Sequence, residues 1–421
     1  MRKVLIVGAG QAGLQLALGL VDGGYDVTLM SARTPEEIRG GRVMSTQCMF
    51  GPALQHERDL GLNLWEEQAP DVLGIGLSVG VPAEGGGVQR ALDWLGLFDE
   101  IAQSVDQRVK MAGWLELLED RGGKVVYHGV TTADLDSLTA LYDLVVVAAG
   151  KGELVELFDR DAGRSPYREP QRILSVAYVH GLAPRPEHPD VRAVRFNAVP
   201  GVGELFVIPA LTLSGPCDIL FFEGLPGGPL DCWDDRPGPA EHLDRTLRLM
   251  REFMPWEHDR CGAVELTDAR ATLTGAYPPV VRKPVGRLPG GGRVLGMADV
   301  VVANDPLTGQ GSNSAAKCAA SYLDSIKARG DRPFDEEWMT SAFESYWEYA
   351  RHVTFWTNAM LQPPPEHIMR IFGAANEIPA VAGRFVNAFA DPTDLQHWFF
   401  DPELADRYLA SVSPVRATPP V

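Results

Sequence analysis

The hydrophobic pattern at the start of the chain alternates between strands and a helix. Val4–Val7 is a short apolar run typical of a buried strand, residues 11–21 have helical spacing, and Val27–Met30 is a second apolar run. Residues 142–148 give the strongest buried-strand pattern in the chain. Strands and helices that alternate in this way predict an α/β fold with a parallel sheet.

The pattern changes between about residue 166 and residue 285. Short strands there are separated by loops rich in proline and glycine, which predicts an antiparallel sheet with one helix near residues 241–253. After Pro333 the sequence is helical and aromatic, and we expect those aromatic residues to pack in a core. The predicted organisation is a discontinuous first domain of residues 1–165 and 286–330, a substrate-side β-sheet domain of residues 166–285, a helical segment of residues 331–415 and a frayed tail of residues 416–421.

Composition narrows the functional classes. The chain has 421 residues and a net charge of −18 without a run of Lys or Arg, which argues against nucleic acid or an anionic membrane as a partner. Its five cysteines are scattered and form no CxxC pair, so we expect reduced thiols and no metal site. The first strand begins at Val4 and no apolar run approaches membrane-spanning length, so we expect a cytoplasmic protein.

A glycine motif follows the first strand directly. Gly8-Ala9-Gly10-Gln11-Ala12-Gly13 matches GxGxxG between a strand and a helix, and a second strand follows, which is the context of a dinucleotide-binding turn. Gly8 would allow the turn, Gly10 would let the backbone approach a pyrophosphate, and Gly13 would allow close helix packing. The alternative is a glycine-rich turn without a ligand.

One part of this motif is missing. An acidic residue normally lies about 20 residues further on and binds the ribose hydroxyls. Here the second strand ends in Met30-Ser31-Ala32-Arg33, where Ser31 can form a hydrogen bond and Arg33 can stack on adenine or contact a phosphate. We therefore expect the ADP end of a cofactor to be held less tightly than usual.

Residues 293–326 combine a strand, an acid, a tight loop and a helix start. Asp299 follows the strand, Pro306 and Gly309-Gln310-Gly311 form the loop, and small residues open a helix from Ser312. The N-terminus of a helix presents unpaired N–H groups and the positive end of its dipole, so the backbone there can approach an electron-rich ring or an anion. Asp299 would bind the hydroxyl groups of a sugar-like chain; alternatively, it is a structural cap.

A second motif has a simpler explanation. Gly76-Leu77-Ser78-Val79-Gly80 matches the GxSxG sequence of hydrolases, which requires a turn from a strand into a helix. Pro82 and the glycines at 85–87 follow instead, within an alternating run that begins at Asp71. We therefore predict a strand here and no nucleophile.

The whole chain resembles the flavoprotein monooxygenases. GAGQAG, the strand that ends in Ala149-Gly150, and GMADVVVANDPLTGQGSN (296–313) stand in the order of that family. RGGK (121–124) and GELFVIPALTLSG (203–215) are especially similar to the two-component styrene and indole monooxygenases. The resemblance implies a Rossmann-like FAD-binding domain of the hydroxylase type beside the antiparallel substrate domain, with a C-terminal helical segment.

The same resemblance implies FAD as the cofactor. It places the glycine motif at the pyrophosphate with two arginines nearby, Asp299 on the ribityl chain, and residues 306–311 beneath the isoalloxazine ring. The implied cofactor-binding residues are Gly8, Ala9, Gly10, Gln11, Ala12, Gly13, Ser31, Arg33, Arg42, Arg108, Ala149, Gly150, Asp299, Pro306, Gly309, Gln310, Gly311, Ser312 and Asn313.

A few pocket positions resemble the indole enzymes more than the styrene enzymes. Where styrene enzymes typically carry Asn, Val and His, this chain has Ser45, Gln47 and Met49. Where they carry Tyr and His it has Val72 and Ile75, and Ala102 replaces a Ser. We expect Met49, Val72, Ile75 and Ala102 to form an apolar wall, and Gln47 to accept the indole N–H. Drift within a styrene enzyme is the alternative.

The implied reaction transfers one oxygen from a flavin C4a-hydroperoxide to the C2=C3 bond of indole, giving indole oxide or indoxyl and then indigo, with styrene and sulfides as further substrates. The chain has no second GxGxxG motif for NAD(P)H, so the resemblance favours a separate NADH-dependent reductase that supplies reduced FAD. The alternatives are a styrene monooxygenase proper, a self-sufficient NAD(P)H-dependent aromatic hydroxylase and a non-catalytic flavin-binding module; a homodimer is left open.

Overall fold

The computed structural model describes residues 1–150 and 152–413. Over these residues the strands are β1 Lys3–Val7, β2 Asp26–Ser31, β3 Val72–Pro82, β4 Val88–Ala102, β5 Lys124–Tyr127, β6 Leu144–Val147, β7 Ile173–His180, β8 Val194–Val199, β9 Gly203–Thr212, β10 Gly215–Gly224, β11 Glu265–Leu266, β12 Thr272–Gly275, β13 Val280–Val281, β14 Val285–Arg287, β15 Arg293–Gly296 and β16 Val302–Ala303.

The α-helices are α1 Gln11–Asp22, α2 Pro35–Arg39, α3 Gly51–Asp59, α4 Gln107–Asp120, α5 Thr132–Leu138, α6 Pro239–Phe253, α7 Pro255–His258, α8 Gly311–Arg329, α9 Glu336–Met360, α10 Glu366–Ala375, α11 Pro379–Asn387 and α12 Pro402–Val412. Short 3-10 helices are Glu153–Leu157, Ala298–Val300, Pro306–Thr308 and Pro392–His397. The predicted tail of residues 416–421 lies outside the described residues.

The first sheet has the strand order β14-β15-β6-β1-β2-β5. All neighbours in it are parallel except the hairpin β14–β15. Strands β1 and β6 are almost entirely buried, as their continuous apolar sequences predict for a sheet covered on both faces. Because β15, β6, β1 and β2 are adjacent and parallel, the residues that follow them meet at one edge of the sheet.

The second sheet is mixed. Its strand order is β11-β7-β10-β9-β8-β3-β4, with β12 also paired to β7. The pairs are antiparallel except β3–β8, in which Ile75–Val79 runs parallel to Val194–Ala198. The prediction of an antiparallel sheet for residues 166–285 is confirmed for β7–β12, whose pairs with one another are all antiparallel. The parallel pair involves β3, which lies outside those residues.

The predicted boundary at residue 166, between the first domain and the β-sheet domain, needs correction. The hairpin β3–β4 pairs through β8 into the second sheet, so residues 72–102 do not belong with the first sheet. Strand β4 alternates between exposed and more buried positions, as a half-buried strand does, unlike the fully buried runs of the parallel sheet. Strands β14 and β15 return to the first sheet as predicted.

Helices after α8 cover one face of the second sheet. Trp356 of α9 and Phe385 of α11 are buried in one apolar cluster with Phe206 and Phe221 of the sheet. Alternate residues of a strand share a face, so this cluster marks the inner face of β9 and β10. The opposite face packs on α6 through Leu249 and its neighbours.

No helix in the described ranges is long and apolar enough to cross a bilayer. The same residues contain no group of three or more His, Cys, Asp or Glu side chains placed to hold a metal ion. The five cysteines are free thiols.

Candidate active site

The glycine turn after β1 depends on missing side chains. Gly8 has φ +122°, and a Cβ there would lie 2.8 Å from the backbone of Ala148. A Cβ on Gly13 would lie 2.1 Å from the carbonyl oxygen of Gly8. On Gly10, the N-cap of α1, a Cβ would meet no atom of the described residues within 4 Å. Gly8 and Gly13 are therefore needed for packing, whereas Gly10 faces open space that a phosphate can approach.

The side chain of Gln11 points into the protein. Its Nε2 donates to Glu57 at 3.0 Å and to Gln15 at 3.2 Å, and Lys110 donates to the same Glu57 at 2.6 Å. Ala12 is buried in the core of the first sheet, with Ala9 packed partly against that core. The motif can therefore present only its backbone to a ligand at these positions.

Ser31 and Arg33 form a local turn at the end of β2. The Ser31 hydroxyl donates to the carbonyl of Arg33 at 2.6 Å and accepts the Arg33 N–H at 3.3 Å. The exposed guanidinium of Arg33 reaches Met44 Sδ at 2.8 Å, and Arg42 is also exposed. Both arginines thus lie on the surface near the segment that follows α2, where an anionic cofactor end can reach them.

Asp299 lies against the end of β6. A Cβ on Gly150 would be 2.9 Å from the Cβ of Asp299, so only glycine fits beside it. Ala298 has φ +51°, which turns the chain sharply at the end of β15. Asp299 is exposed, and Ala149 is half-buried. We refer to Gly8–Gly13, Ala149-Gly150 and Asp299 together as the nucleotide cradle.

The 305–309 turn links β16 to α8. The side chain of Asp305 accepts the N–H of Leu307 at 3.2 Å and caps the short helix that begins at Pro306. Gly309 ends that helix with φ +62°, in the left-handed region that favours glycine. The turn therefore leads directly into the first residue of α8.

The N-terminus of α8 is open. Gln310 is its N-cap but gives no side-chain cap, because Gln310 Nε2 donates to the carbonyls of Thr308 at 3.2 Å and Phe389 at 2.9 Å. Gln310 Oε1 is buried and has no hydrogen-bond partner in the part of the chain that the structure describes. A Cβ on Gly311 would meet no described atom within 4 Å, and Ser312 is half-buried beside it. The first N–H groups of α8 can therefore donate hydrogen bonds to a ring that carries negative charge.

Asn313 joins this turn to the predicted substrate pocket. Its Nδ2 donates to the carbonyls of Cys48 at 2.8 Å and Gly309 at 3.0 Å, and its Oδ1 accepts the N–H of Phe50 at 2.9 Å. We refer to residues 45–50 as the pocket segment. Asn313 thus acts through backbone contacts to both regions.

Arg108 does not lie free beside the nucleotide cradle. Its guanidinium is 1% exposed and is paired with Asp106 at 2.8 Å and Asp268 at 3.0 Å, and it donates to Thr212 at 3.1 Å. Burial in this network leaves its donors engaged within the protein. The expectation that Arg108 contacts the cofactor is therefore corrected to a structural role at the start of α4.

Buried Gln47 and half-buried Ser45 form a polar group with Tyr178. The Ser45 hydroxyl donates to Gln47 Oε1 at 2.9 Å, and Gln47 Nε2 donates to the Tyr178 hydroxyl at 3.4 Å. That hydroxyl in turn donates to the carbonyl of Ser45 at 2.9 Å. Tyr178 was missed from the sequence, although its position on β7 places it on the inner face of the second sheet.

Three of the four predicted wall residues lie together, and Met49 does not. Val72 and Ala102 are register partners, and both share the inner-face cluster with Ile75. Met49 instead packs with Ala53, Leu54 and Ala316.

The reason for the Met49 error is strand-like alternation in the pocket segment. Cys48 and Phe50 point to the inner-face cluster, so the residue between them points away. The sequence gives no local signal that distinguishes Cys48 from Met49, because Cys48, Met49 and Phe50 are all apolar.

The groups at this cluster are neutral near pH 7. Burial raises the pKa of the Cys48 thiol to about 12. Burial, followed by the nearby carboxylate of Asp106, raises the pKa of Tyr178 well above its usual range. The cluster is therefore suited to binding and orienting an apolar compound, because it offers neither a thiolate nor a phenolate.

The GxSxG sequence serves the second sheet. A Cβ on Gly76 would overlap the guanidinium of Arg195, and the Ser78 hydroxyl donates to Asp93 at 2.8 Å while it accepts from Arg195 at 2.8 Å. A Cβ on Gly80 would lie 2.8 Å from Cγ1 of Val88. The motif lies in a strand, as predicted, and its serine contacts the Arg195–Asp93 ion pair.

A surface cavity of about 680 Å³ lies at the other end of the first sheet, between Asp143, the turn at Gly291 and the start of α9. It contains none of the predicted site residues. The candidate site lies instead where strand ends and the start of α8 converge.

The chain is similar to known monooxygenases over its length. The family model "Styrene monooxygenase A putative substrate binding domain" matches residues 150–260. Styrene monooxygenase StyA of Pseudomonas fluorescens is 30% identical over 428 residues, which cover 99% of each chain.

Solved structures with low sequence identity share the fold. A flavoprotein/dehydrogenase from Cytophaga hutchinsonii has a TM-score of 0.65 at 13% identity, covering 97% of this chain and 99% of that one. The flavin-dependent halogenase CmlS has a TM-score of 0.62 at 15% identity, covering 98% of this chain and 72% of that one. These structures show the fold alone. The 30% identity to StyA over almost the full length of both chains shows that the protein is an FAD-dependent monooxygenase and belongs to the styrene monooxygenase family.

Proposed function

We propose that this monooxygenase epoxidises the C2=C3 bond of indole and accepts styrene as a second substrate. The observation that carries the proposal is the Ser45–Gln47–Tyr178 group, in which Gln47 and Tyr178 are buried, beside an otherwise apolar cluster. An amide oxygen has two lone pairs, and Ser45 occupies one of those of Gln47. The second lone pair is available to accept the N–H of indole, and styrene has no such group.

The protein's part in this reaction is binding, orientation and exclusion of water. Reduced FAD with dioxygen supplies the oxygen-transfer chemistry when it is bound. Val72, Ile75 and Ala102 would keep water from the reacting centre, since they are buried and apolar. The N-terminus of α8 would stabilise negative charge on the ring above it.

We also propose the cofactor placement. The nucleotide cradle would hold the pyrophosphate through the N-terminus of α1 and the ribityl chain through Asp299, with the 305–309 turn beneath the isoalloxazine ring. This placement is supported by the open space at Gly10 and Gly311, where a Cβ would meet no described atom within 4 Å. Arg33 and Arg42 are exposed, and we assign both to the ADP end.

Gln47→Leu tests the substrate. A buried N–H left without a partner costs about 1–3 kcal/mol, so we expect kcat/KM for indole to fall by roughly ten- to a hundredfold while styrene epoxidation is unchanged or improved. Initial rates of product formation with both substrates, at a fixed supply of reduced FAD, give the ratio. Gln55→Leu is the matched control, because it makes the same exchange at an exposed position of α3.

Two outcomes would contradict the proposal. Equal losses on indole and styrene would remove the hydrogen-bond role of Gln47 and leave selection to shape alone. An unmodified enzyme that epoxidises styrene far better than indole would be a styrene monooxygenase in the narrow sense. That is the activity for which the Pseudomonas fluorescens relative is named.

We propose further that reduced FAD comes from a separate NADH-dependent reductase. The chain contains one dinucleotide motif, and Ser31 stands where an acid would bind ribose, which suits a cofactor that exchanges. We expect tighter binding of reduced than of oxidised FAD, measured by anaerobic fluorescence titration, and no NADH oxidation by the purified chain. Steady NADH consumption without a reductase would instead indicate a self-sufficient hydroxylase.

A further inference from the structure

A buried carboxyl pair lies next to the 305–309 turn. Glu223 is 0% exposed, and neither of its carboxyl oxygens receives a hydrogen bond from a donor within the described ranges. Asp305, which is 3% exposed, is a second buried carboxyl group, and its charge contributes to the raised pKa of Glu223. Two carboxylates cannot both stay ionised in such a dry place unless a cation compensates them.

The cation beside this carboxyl pair is Arg172, and it is already paired with Glu204. Glu204 of β9 and Glu223 of β10 are register partners, and both continue the inner-face rows of Phe206 and Phe221. Arg172 donates to Glu204 at 2.7 Å and 3.0 Å through two nitrogens. This bidentate pair neutralises Glu204 and leaves the Glu223–Asp305 pair with one charge too many.

The electrostatics of the surrounding elements agree with this geometry. Burial, then the charges of Asp305 and Glu204, raise the pKa of Glu223 well above its usual range, although Arg172 opposes the shift. Burial raises the pKa of Asp305 to about 6, against the Leu307 N–H and Arg172.

We propose that the carboxyl group of Glu223 stays protonated and donates a hydrogen bond to Asp305. Glu223 is thereby the positioning residue for the 305–309 turn. The protonation of Glu223 affects the turn through Asp305, because the Asp305 carboxylate also accepts the Leu307 N–H at the start of the turn. The effect on the cofactor rests on the proposed placement of this turn beneath the isoalloxazine ring.

The sign of the pH dependence follows from proton binding. With the turn closed, the Glu223–Asp305 pair still binds a proton at a pH where an ordinary Glu, with a pKa of 4.5, has lost its proton. Opening of the turn should therefore increase with pH, by up to about tenfold per pH unit, and level off once the closed pair has also lost its proton.

Hydrogen exchange of the amides in the turn measures this opening without cofactor. Corrected for intrinsic rates, wild-type protection should fall with rising pH. Glu223→Gln keeps a donor of the same shape and removes the ionisation, so its protection should match the low-pH wild type and stay flat. Glu223→Leu removes the donor as well, so its protection should be low at every pH.

A control of the same chemistry lies on the same strand. Burial raises the pKa of Asp218 to about 6, but its side chain faces away from the inner-face cluster. Asp218→Asn should therefore keep the wild-type pH dependence of the turn. Glu223→Gln with a wild-type slope, or Glu223→Leu with wild-type protection, would overturn the proposal.

FAD affinity, followed by flavin fluorescence over the same pH range, separates this inference from the proposed cofactor placement. If the turn supports the ring, affinity should follow protection in all four proteins. Protection that responds to Glu223 while FAD affinity does not would keep the positioning role and reject the placement of the ring.

Discussion

The glycine turn at residues 8–13 and the pocket segment at residues 45–50 restrict the sequence in different ways. Around the glycine turn the neighbouring atoms are backbone, such as the carbonyl of Gly8 that faces Gly13. Around the pocket segment the neighbours include side chains from distant elements, namely Tyr178 of β7 and Asn313 of α8. Backbone cannot move aside, whereas side chains can repack, so we expect the first region to determine whether FAD binds and the second to determine which substrate is used.

Two alanine substitutions in the glycine turn should separate folding from cofactor binding. Gly13→Ala would place a Cβ 2.1 Å from the Gly8 oxygen, so we expect a loss of about 3 kcal/mol or more in the free energy of unfolding. Gly10→Ala meets no described atom and should leave stability unchanged while it weakens FAD binding. Urea unfolding and FAD titration measure the two effects. An unfolding free energy unchanged by Gly13→Ala would refute the packing role.

Asp299→Ala tests the one side chain of the nucleotide cradle that is assigned to the cofactor. Loss of a charged hydrogen bond to the ribityl hydroxyls should weaken FAD binding by roughly 1.5–3 kcal/mol, measured by equilibrium titration. Asp299→Asn keeps the shape and should lose less. If flavin affinity and turnover are both unchanged in Asp299→Ala, the residue is only a structural cap.

Neighbouring positions in the pocket segment should differ in their effect on substrate choice. Cys48→Val adds a methyl group on the side of the inner-face cluster, so it should change the indole-to-styrene ratio of kcat/KM by the equivalent of about 1 kcal/mol. Met49→Leu conserves volume on the other side and should leave the ratio unchanged. A larger change from Met49→Leu than from Cys48→Val would restore the original assignment of Met49.

The sequence predicted the first sheet well because its signals are local. The apolar runs of β1 and β6, the glycine turn and Asp299 each depend on short stretches, and the parallel order of strands brings their ends together. The family was also confirmed, at the level of styrene monooxygenases. The preference for indole stays a prediction.

The errors arose where a position depends on distant partners. The hairpin β3–β4 joins the second sheet through β8, which the strand pattern alone does not specify. Arg108 is enclosed by Asp106, Asp268 and Thr212, the last two of them far along the chain, and Met49 points away because of how its backbone pairs with Gln103. Such pairings are tertiary, so no local pattern could place them.

The return of β15 to the first sheet has a consequence for how the protein is made. Strand β6 pairs with β1 on one side and with β15 on the other, and β15 is about 150 residues later. Until the ribosome has released β15, Val145-Val146-Val147 forms an unpaired apolar edge of the kind that recruits other chains. Contacts of this span also form slowly. The nascent chain therefore has to carry an aggregation-prone edge while about a third of it is synthesised, and a fragment that stops before Arg293 should be insoluble even though it contains the complete glycine motif.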